Sequence, residues 1–506
     1  MCTKIARDHT ALFVITCVFL GLLLRIPLVL WGGTPLDGDE AIMGIMAKHI
    51  SSGTAFPVFF YGQTYGLSML EAYAGALFFS IFGISTVSLH SSILFLWILG
   101  VICFCLASRR LFPPIGFWIF GLALAVNPAW LEWSFKARGF YVGGFLTAGL
   151  CTYLLSISHE SRTKHRLLNA TIGIMLGVLG HTHLLWLATM SPCLLLWLIH
   201  KRDFSLFILI STSFLLSYIF IYVLFVQGHY SYWSPDFFSV NALAESTKHL
   251  PSRLNGLFSE ASSLSGVFWS FFCVLTIVIG TVMFLKSNVW LFASLVASCL
   301  IPFLITLLIS DSMFGYRYVL SSTVPVFVLA SVLISNYSKN KTDHTLSTFL
   351  LLTSLIVVAF ISDATIIYKK AVNFRSQPFN EDYSVKHLTD ILVDNNIFYV
   401  YSMDGLLQWG LIFQSGERIV ARWLNASDRV PIYPLQVDSA LYYHKPTALV
   451  GRIAELQTMK NYLAEIGVSH DIINVVDNTF FWIKQPTPQM LLDIRFELNN
   501  PDLLKY

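Results

Sequence analysis

Three carboxylates fall within four residues, Asp37, Asp39 and Glu40, a few residues after an apolar run from Ala11 to Trp31. Ionised groups at the mouth of a membrane helix are expensive to bury and tend to mark working sites. A carboxylate held rigidly where substrate and water reach it can take a proton from a hydroxyl. Asp-x-Asp also suits an oxygen-liganding divalent cation, with Asp37 and Asp39 as its ligands. A plainer use of the same residues is helix capping, in which Asp37 or Asp39 accepts from free backbone N–H groups. The two uses do not exclude each other.

Other polar residues stand out against apolar surroundings. Arg138 ends the stretch Glu132-Trp133-Ser134-Phe135-Lys136-Ala137-Arg138-Gly139, and Arg317 sits in Phe314-Gly315-Tyr316-Arg317-Tyr318. A guanidinium in either place suits paired hydrogen bonds to a phosphate or sugar, or snorkelling at a membrane interface. Lys136 reads as an interface anchor. Glu71 lies inside an apolar run, where it must line a cavity or cap the first loop. His181 and His183, two apart, do not share a helix face and lack a third ligand, so phosphate contact or polar packing suits them better than a metal. Gln63 and Tyr65 offer hydrogen bonds from an aromatic, turn-rich loop, Phe56 to Gly66.

The elements that must position these groups are membrane helices. Of 506 residues, 55% are hydrophobic and 12% charged, which excludes a soluble globular protein. The net charge of +3 arises from basic residues in short loops, with no basic tail, so nucleic acid is not expected as a partner. All cysteines but Cys2 lie in apolar runs, without zinc or disulfide spacing. The first run reads as a retained helix rather than a cleaved signal. Asp37 to Ser52 has helical spacing and is expected to lie along the interface. Further spans are expected at Val87–Ala107, Ile115–Ala129, Phe140–Ile157, Leu168–His181, Leu184–His200, Leu206–Val226, Leu264–Leu285, Val289–Ile309, Tyr318–Asn336 and Leu346–Tyr368. If Leu67–Ile84 does not cross, every strongly basic short loop falls on one side, giving about eleven crossings with a cytoplasmic N-terminus. Asp37–Glu40, Trp130–Gly139, His229–Glu260, Ser310–Arg317 and everything after about Lys369 are then extracytoplasmic. That last region reads as short strands alternating with helices. The expected architecture is a mainly α polytopic bundle over 1–368, with its first extracytoplasmic loop at 32–86, and a small extracytoplasmic α/β domain over 369–506.

The order Asp39-Glu40-Ala41, a short helix ending near Ser52-Gly53, a proline, the Tyr61–Tyr65 loop and an apolar run closing in Phe82-Gly83 resembles the membrane glycosyltransferases of the GT-C class. The pattern is most similar to protein O-mannosyltransferases and the bacterial aminoarabinose transferase of lipid A. It covers Arg25 to Gly149 well and thins to isolated motifs beyond. The resemblance implies a multi-pass enzyme, in a bacterial inner membrane, that takes a sugar from a polyprenyl-phosphate carrier. The acceptor would be a lipid, glycan or protein hydroxyl. It places the base at Asp39, with Asp37 and Glu40 in support, and substrate contacts at Arg138 and Arg317; Gln63, Tyr65, Glu71 and His183 are the further substrate-binding candidates that the residues themselves offer. No cofactor is specified beyond the divalent cation that Asp37 and Asp39 suit. One departure stands out: where the aminoarabinose transferase carries Glu-Lys-Pro, this chain has Gly62-Gln63-Thr64-Tyr65 and lacks the lysine. The soluble stretch Ser402–Trp409 resembles uncharacterised relatives and carries no phosphate loop or triad. A lipid-sugar flippase would share the spans but usually shows paired broken helices or an internal repeat, which this chain lacks. A non-catalytic scaffold would use the acids only as caps.

The topology has a direct test. Cysteines introduced at Ser52 and Ser108 should react with an impermeant maleimide from opposite sides of the membrane, and labelling of both from one side would overturn the arrangement.

Overall fold

The computed structural model describes residues 2–30, 36–160, 166–227, 229, 289–309, 315–339 and 381–499, with parts of 274–278 and 351–369. Helices α1 (Cys2–Leu30), α2 (Gly38–Ser52), α3 (Met69–Phe82), α4 (Thr86–Leu111), α5 (Pro114–Val126), α6 (Tyr141–Glu160), α7 (Arg166–Thr182), α8 (Leu184–Lys201), α9 (Phe204–Phe225), α10 (Val289–Ile309) and α11 (Thr323–Lys339) form the bundle. Among the described residues, five segments are long and apolar enough to cross a membrane: Thr10–Leu30, Thr86–Leu111, Tyr141–His159, Leu184–Lys201 and Phe204–Phe225. Shorter apolar helices include Met69–Phe82 and Pro114–Val126. The protein is a multi-pass membrane protein. Most of the expected span at Leu264–Leu285, and the loop His229–Glu260 beyond its first residue, lie outside the described residues.

Arg25 shows how the bundle handles a charge. It is fully buried, stacked 3.8 Å from the Trp97 ring on α4. It donates from Nε to Ser134 Oγ at 2.6 Å and from Nη1 to the carbonyls of Ala125 (2.8 Å) and Gly21 (3.1 Å). A buried cation needs such partners. Here they join α1 to the end of α5 and to the segment that carries Arg138.

Helix α2 is enclosed by protein along most of its length. Ala41, Ile42, Met43, Ile45, Met46 and Ala47 are all buried, and a helix buried all round has a partner on each side. One side meets α3 and the other a helix of the C-terminal domain, α13 (Gly405–Gln414). Gly44 permits that second contact: a Cβ there would overlap the Phe413 ring. At its C-terminus Gly53 adopts φ 71° and its N–H bonds back to the carbonyls of His49 and Ile50, the left-handed close that glycine favours.

The C-terminal domain comprises α12 (Glu381–Asp394), β1 (Tyr399–Ser402), α13, β2 (Val420–Arg422), α14 (Ile432–Tyr442), β3 (Thr447–Arg452), α15 (Leu456–Glu465), β4 (Ile473–Val476), β5 (Phe480–Lys484) and α16 (Pro488–Asp493). The sheet order is β2-β1-β3-β5-β4. β1 runs parallel to β2 and β3, while β5 runs antiparallel to β3 and β4. Arg422 and Asp438, both fully buried, pair at 2.5 Å beneath the sheet, and Tyr401 donates to the other Asp438 oxygen at 2.9 Å.

This domain is fastened to α2 by ions as well as by packing. Glu417 receives Lys48 Nζ at 2.5 Å on one oxygen; on the other it meets His49 Nε2 at 2.8 Å and accepts from Tyr433 OH at 2.6 Å. Arg429 Nη1 donates to the carbonyl of Tyr61 at 3.2 Å. Burial alone would raise the Glu417 carboxyl, but the hydrogen bonds from His49, Lys48 and Tyr433 bring it from 4.5 down to about 2. An acid depressed in this way binds fewer protons folded than unfolded. Its stabilisation is full above about pH 4.5 and drains away as pH falls toward 2. Glu417→Gln should therefore cost about 2 kcal/mol at pH 7. In thermal unfolding in detergent the gap to wild type should narrow at pH 3, and an unchanged gap would remove Glu417 from the lock.

Candidate active site

The site begins with the cap of α2. Asp37 is the N-cap, with φ −89° and ψ 173°; its Oδ1 accepts from Glu40 N at 3.1 Å while Glu40 Oε2 accepts from Asp37 N at 3.2 Å. This is a capping box built from two acids. The capping role that the sequence allows for Asp37 is thus realised.

Glu40 is completely buried. Its Oε1 bonds His90 Nε2 of α4 at 2.9 Å and accepts from the backbone N of Ala137 at 3.0 Å. Burial works to raise this carboxyl, but the His90 imidazole, followed by Lys136, outweighs it and brings the group down to about 2. With both oxygens engaged, Glu40 joins α2, α4 and the 131–139 segment at one point. Its geometry is that of a positioning residue.

Arg138 comes next to Asp37 through that segment. It donates from Nε (2.6 Å) and Nη2 (2.5 Å) to Asp37 Oδ2, and its guanidinium lies 5.4 Å from the Trp133 ring centre. The chain turns sharply just beyond, with Gly139 at φ 70° and Phe140 at φ 58°. Burial and then the Glu40 charge push Asp37 up to about 6, against the pull of Arg138. For Arg138 burial works downward, yet the fields of Asp37 and Asp39 hold it above its ordinary value, with Arg317 opposing them. Asp37, Asp39, Arg138 and Arg317 therefore share one electrostatic neighbourhood. Asp39, in the first turn of α2, is half-buried. Among the described residues, no hydrogen bond or ion pair ties its carboxylate down.

The remaining candidates divide. Gln63 and Tyr65 belong to a loop that abuts the Gly139–Phe140 turn. Tyr65 lies edge-on to Phe140 at 6.4 Å, and a Cβ on Gly66 would overlap the Phe140 ring. The Gln63 Oε1 is buried with no hydrogen-bond partner among the described residues. Glu71 goes elsewhere: its Oε1 accepts from Gly143 N at 2.7 Å in the first turn of α6, so it caps a helix other than its own. His183 is buried between the rings of Phe140 (5.7 Å) and Tyr141 (5.2 Å), and His181 Nε2 contacts the carbonyl of Tyr218 at 2.9 Å. Lys136 pairs with Glu132 at 3.7 Å. Arg317 lies half-buried in the 3-10 turn Gly315–Ser322.

A divalent cation at Asp37 and Asp39 does not fit these contacts. Both Asp37 oxygens are occupied, one by a backbone N–H and the other by a guanidinium. Among the described residues no three His, Cys, Asp or Glu side chains gather around a metal-sized space. His90, Ala137 and Trp133 are the site residues that sequence reasoning passed over. Their only signals are a histidine near the start of an otherwise apolar span and the tryptophan in the 132–139 stretch.

The sequence matches no family model, and no curated protein matches it. The fold is nevertheless shared with solved structures. It is a helical bundle with a C-terminal α/β domain. The chain is similar to ArnT from Cupriavidus metallidurans in the apo state, with TM-score 0.59, 13% identity, and coverage of 95% of this chain and 98% of that one. It is similar to the same protein bound to undecaprenyl phosphate, at TM-score 0.59, 12% identity and the same coverage. The arabinofuranosyltransferase AftD from mycobacteria is a more distant match, at TM-score 0.50 and 12% identity, covering 88% of this chain and 35% of AftD.

Removing the Glu40 carboxylate strands His90 and the Ala137 amide. Glu40→Ala should cost about 3–5 kcal/mol, seen as a marked fall in the thermal unfolding midpoint. Asp39→Asn, which breaks no such contact, should leave that midpoint nearly unchanged. Equal effects would show that Glu40 is not the joint.

Proposed function

We propose that the protein is a membrane glycosyltransferase that moves a sugar from a polyprenyl-phosphate carrier to an acceptor hydroxyl on the extracytoplasmic side. The observation that carries this reading is that Asp39, a carboxylate with no hydrogen bond or ion pair among the described residues, shares one electrostatic neighbourhood with Arg138 and Arg317 at the capped end of α2. The shared fold supports it, since one neighbour is an ArnT bound to undecaprenyl phosphate.

The chemistry is a single displacement. Asp39 takes the proton from the acceptor hydroxyl as its oxygen bonds to the anomeric carbon. The bond from that carbon to the lipid-phosphate oxygen breaks, and the phosphate leaves with the electron pair. Arg138 and Arg317 stabilise the charge that grows on it, the term on which such catalysis chiefly rests. Arg138 can do so while paired, because Asp37 engages only its Nε and Nη2 and a guanidinium carries five N–H donors. Asp37 holds that fork in place, and inversion at the anomeric carbon follows. Lipid, glycan and protein hydroxyls all satisfy the acceptor's role.

Membranes carrying the protein should transfer label from radiolabelled polyprenyl-phosphate sugars to an extractable acceptor. Asp39→Asn should lower turnover about 10²–10⁴-fold, while Arg317→Ala should weaken use of the donor. Transfer that survives Asp39→Asn would remove the base. No transfer from any donor, with labelled lipid instead crossing vesicles, would make the protein a flippase.

A further inference from the structure

A cavity of about 1010 Å³ lies inside the bundle, away from Asp39. Its position follows from three helices, each with one end placed by a contact near α2 or the loops beside it. The α4 end near His90 meets Glu40, the α6 end at Gly143 meets Glu71, and the α8 end at His183 meets Tyr141. The cavity is lined from the opposite ends of all three, by Ser108 of α4, His159 of α6, and His200 of α8 with Arg202 just beyond it. From Trp186 to Arg202, both lining residues, a helical path spans about 24 Å, most of the roughly 30 Å hydrocarbon core.

Its chemistry is divided along that length. The inner part is apolar, with Trp186, Leu194, Trp197 and Leu295 among its walls, while the basic side chains of the lining, Arg202 with His159 and His200, all stand at the far end and are exposed. No carboxylate is among the described lining residues. Asp203, next in the chain, is turned to its own helix, where it accepts from the backbone of Ser205 and Leu206. An apolar shaft whose mouth carries a guanidinium, two imidazoles and no carboxylate among the described lining residues complements one kind of molecule, an amphiphile with an anionic head. The volume, at the top of the usual 300–1,000 Å³ range for ligand sites, leaves room for long hydrocarbon chains. Each methylene that moves from water into such a shaft contributes about 0.8 kcal/mol, and lysines or arginines beside anionic headgroups add about 1 kcal/mol apiece.

We propose that this cavity binds an anionic phospholipid from the leaflet at the far end of the bundle, with its chain inside and its phosphate at His159, His200 and Arg202. The lipid is the bilayer's own and is distinct from the sugar carrier proposed for the Asp39 end. The site rests on the membrane-spanning bundle and stands whether or not the transferase chemistry does.

The test uses the full chain in nanodiscs containing phosphatidylglycerol or phosphatidylcholine with a photoreactive diazirine at the chain end, followed by peptide mapping. Label from phosphatidylglycerol should fall on residues 186–202 and 289–298 at least fivefold more than label from phosphatidylcholine. The double variant His200→Glu, Arg202→Glu should abolish that preference. Leu194→Trp, which fills the shaft and leaves the mouth intact, should lower labelling by both lipids. Equal labelling by the two lipids overturns the proposal, as does a preference that survives the double charge reversal. Displacement of phosphatidylglycerol by an equal concentration of undecaprenyl phosphate would assign the cavity to the donor's tail and also overturn it.

Discussion

The arrangement depends on one buried carboxylate. Glu40 has no exposed surface, and its two oxygens meet an imidazole on α4 and two backbone amides, one from its own cap and one from Ala137. An ionised acid in such a place is tolerable only when its lone pairs are satisfied. That requirement fixes three pieces of chain against one another. α2 cannot turn about its axis without breaking the bond to His90, and the 131–139 segment cannot move away without losing the bond from Ala137. Asp39 and Arg138 are each one residue from the two ends of that joint. Their separation is therefore set by a group that touches neither substrate nor solvent.

The far end of α2 is held from the other side. Glu417 binds Lys48 and His49, and Phe413 fills the space left by Gly44. The C-terminal domain, which carries no evident catalytic motif, thus closes over a helix that would otherwise expose an apolar face to water. Burial between two bodies also explains why α2 holds its orientation although it is only 15 residues long. An isolated helix of that length is marginal in water. Caps at both ends and packing on both faces make it a rigid mount, which the base proposed at Asp39 requires.

Much of this was legible in the sequence, and the exceptions have physical causes. Apolar runs and their basic loops mark the spans because hydropathy and helix length are local properties. Asp37 is readable as a cap because capping is local too. The burial of α2 was not, since the apolar positions Ala41, Ile42, Ile45 and Met46 have the same spacing whether a helix lies on a membrane or inside a protein. The discriminating signal was Gly44 in the helix interior, where glycine is unfavourable by about 1 kcal/mol unless another group must come close. The roles of Glu40 and Glu71 were also hidden. Each serves a partner far along the chain, His90 in one case and Gly143 in the other, and no spacing rule links them. Arg25 belongs to the same class: its type announces that it needs partners, and only the fold names Ser134 and Trp97.

Gln63 stands in the loop where the resembled transferase carries a lysine, and that difference bears on the donor half of the proposed site. A lysine in that loop would bring a compact charge on a flexible stem, free to follow a phosphate. This chain puts its cations on guanidiniums instead, and Arg138 is already oriented by Asp37 before any ligand arrives. A fork locked by a carboxylate loses little freedom when it binds, so its contribution to a leaving phosphate is not diminished by ordering. The same carboxylate partly neutralises it, and the opposing field of Arg317 offsets that loss when both face one anion. In the proposed reaction, charge on the phosphate is greatest as the sugar departs. The field of Arg317 opposes Arg138 in the free protein, and in the proposed reaction that opposition is relieved when the charge develops. A pair of this kind favours the transition state over the resting one, which a single mobile lysine at position 63 would not do to the same extent.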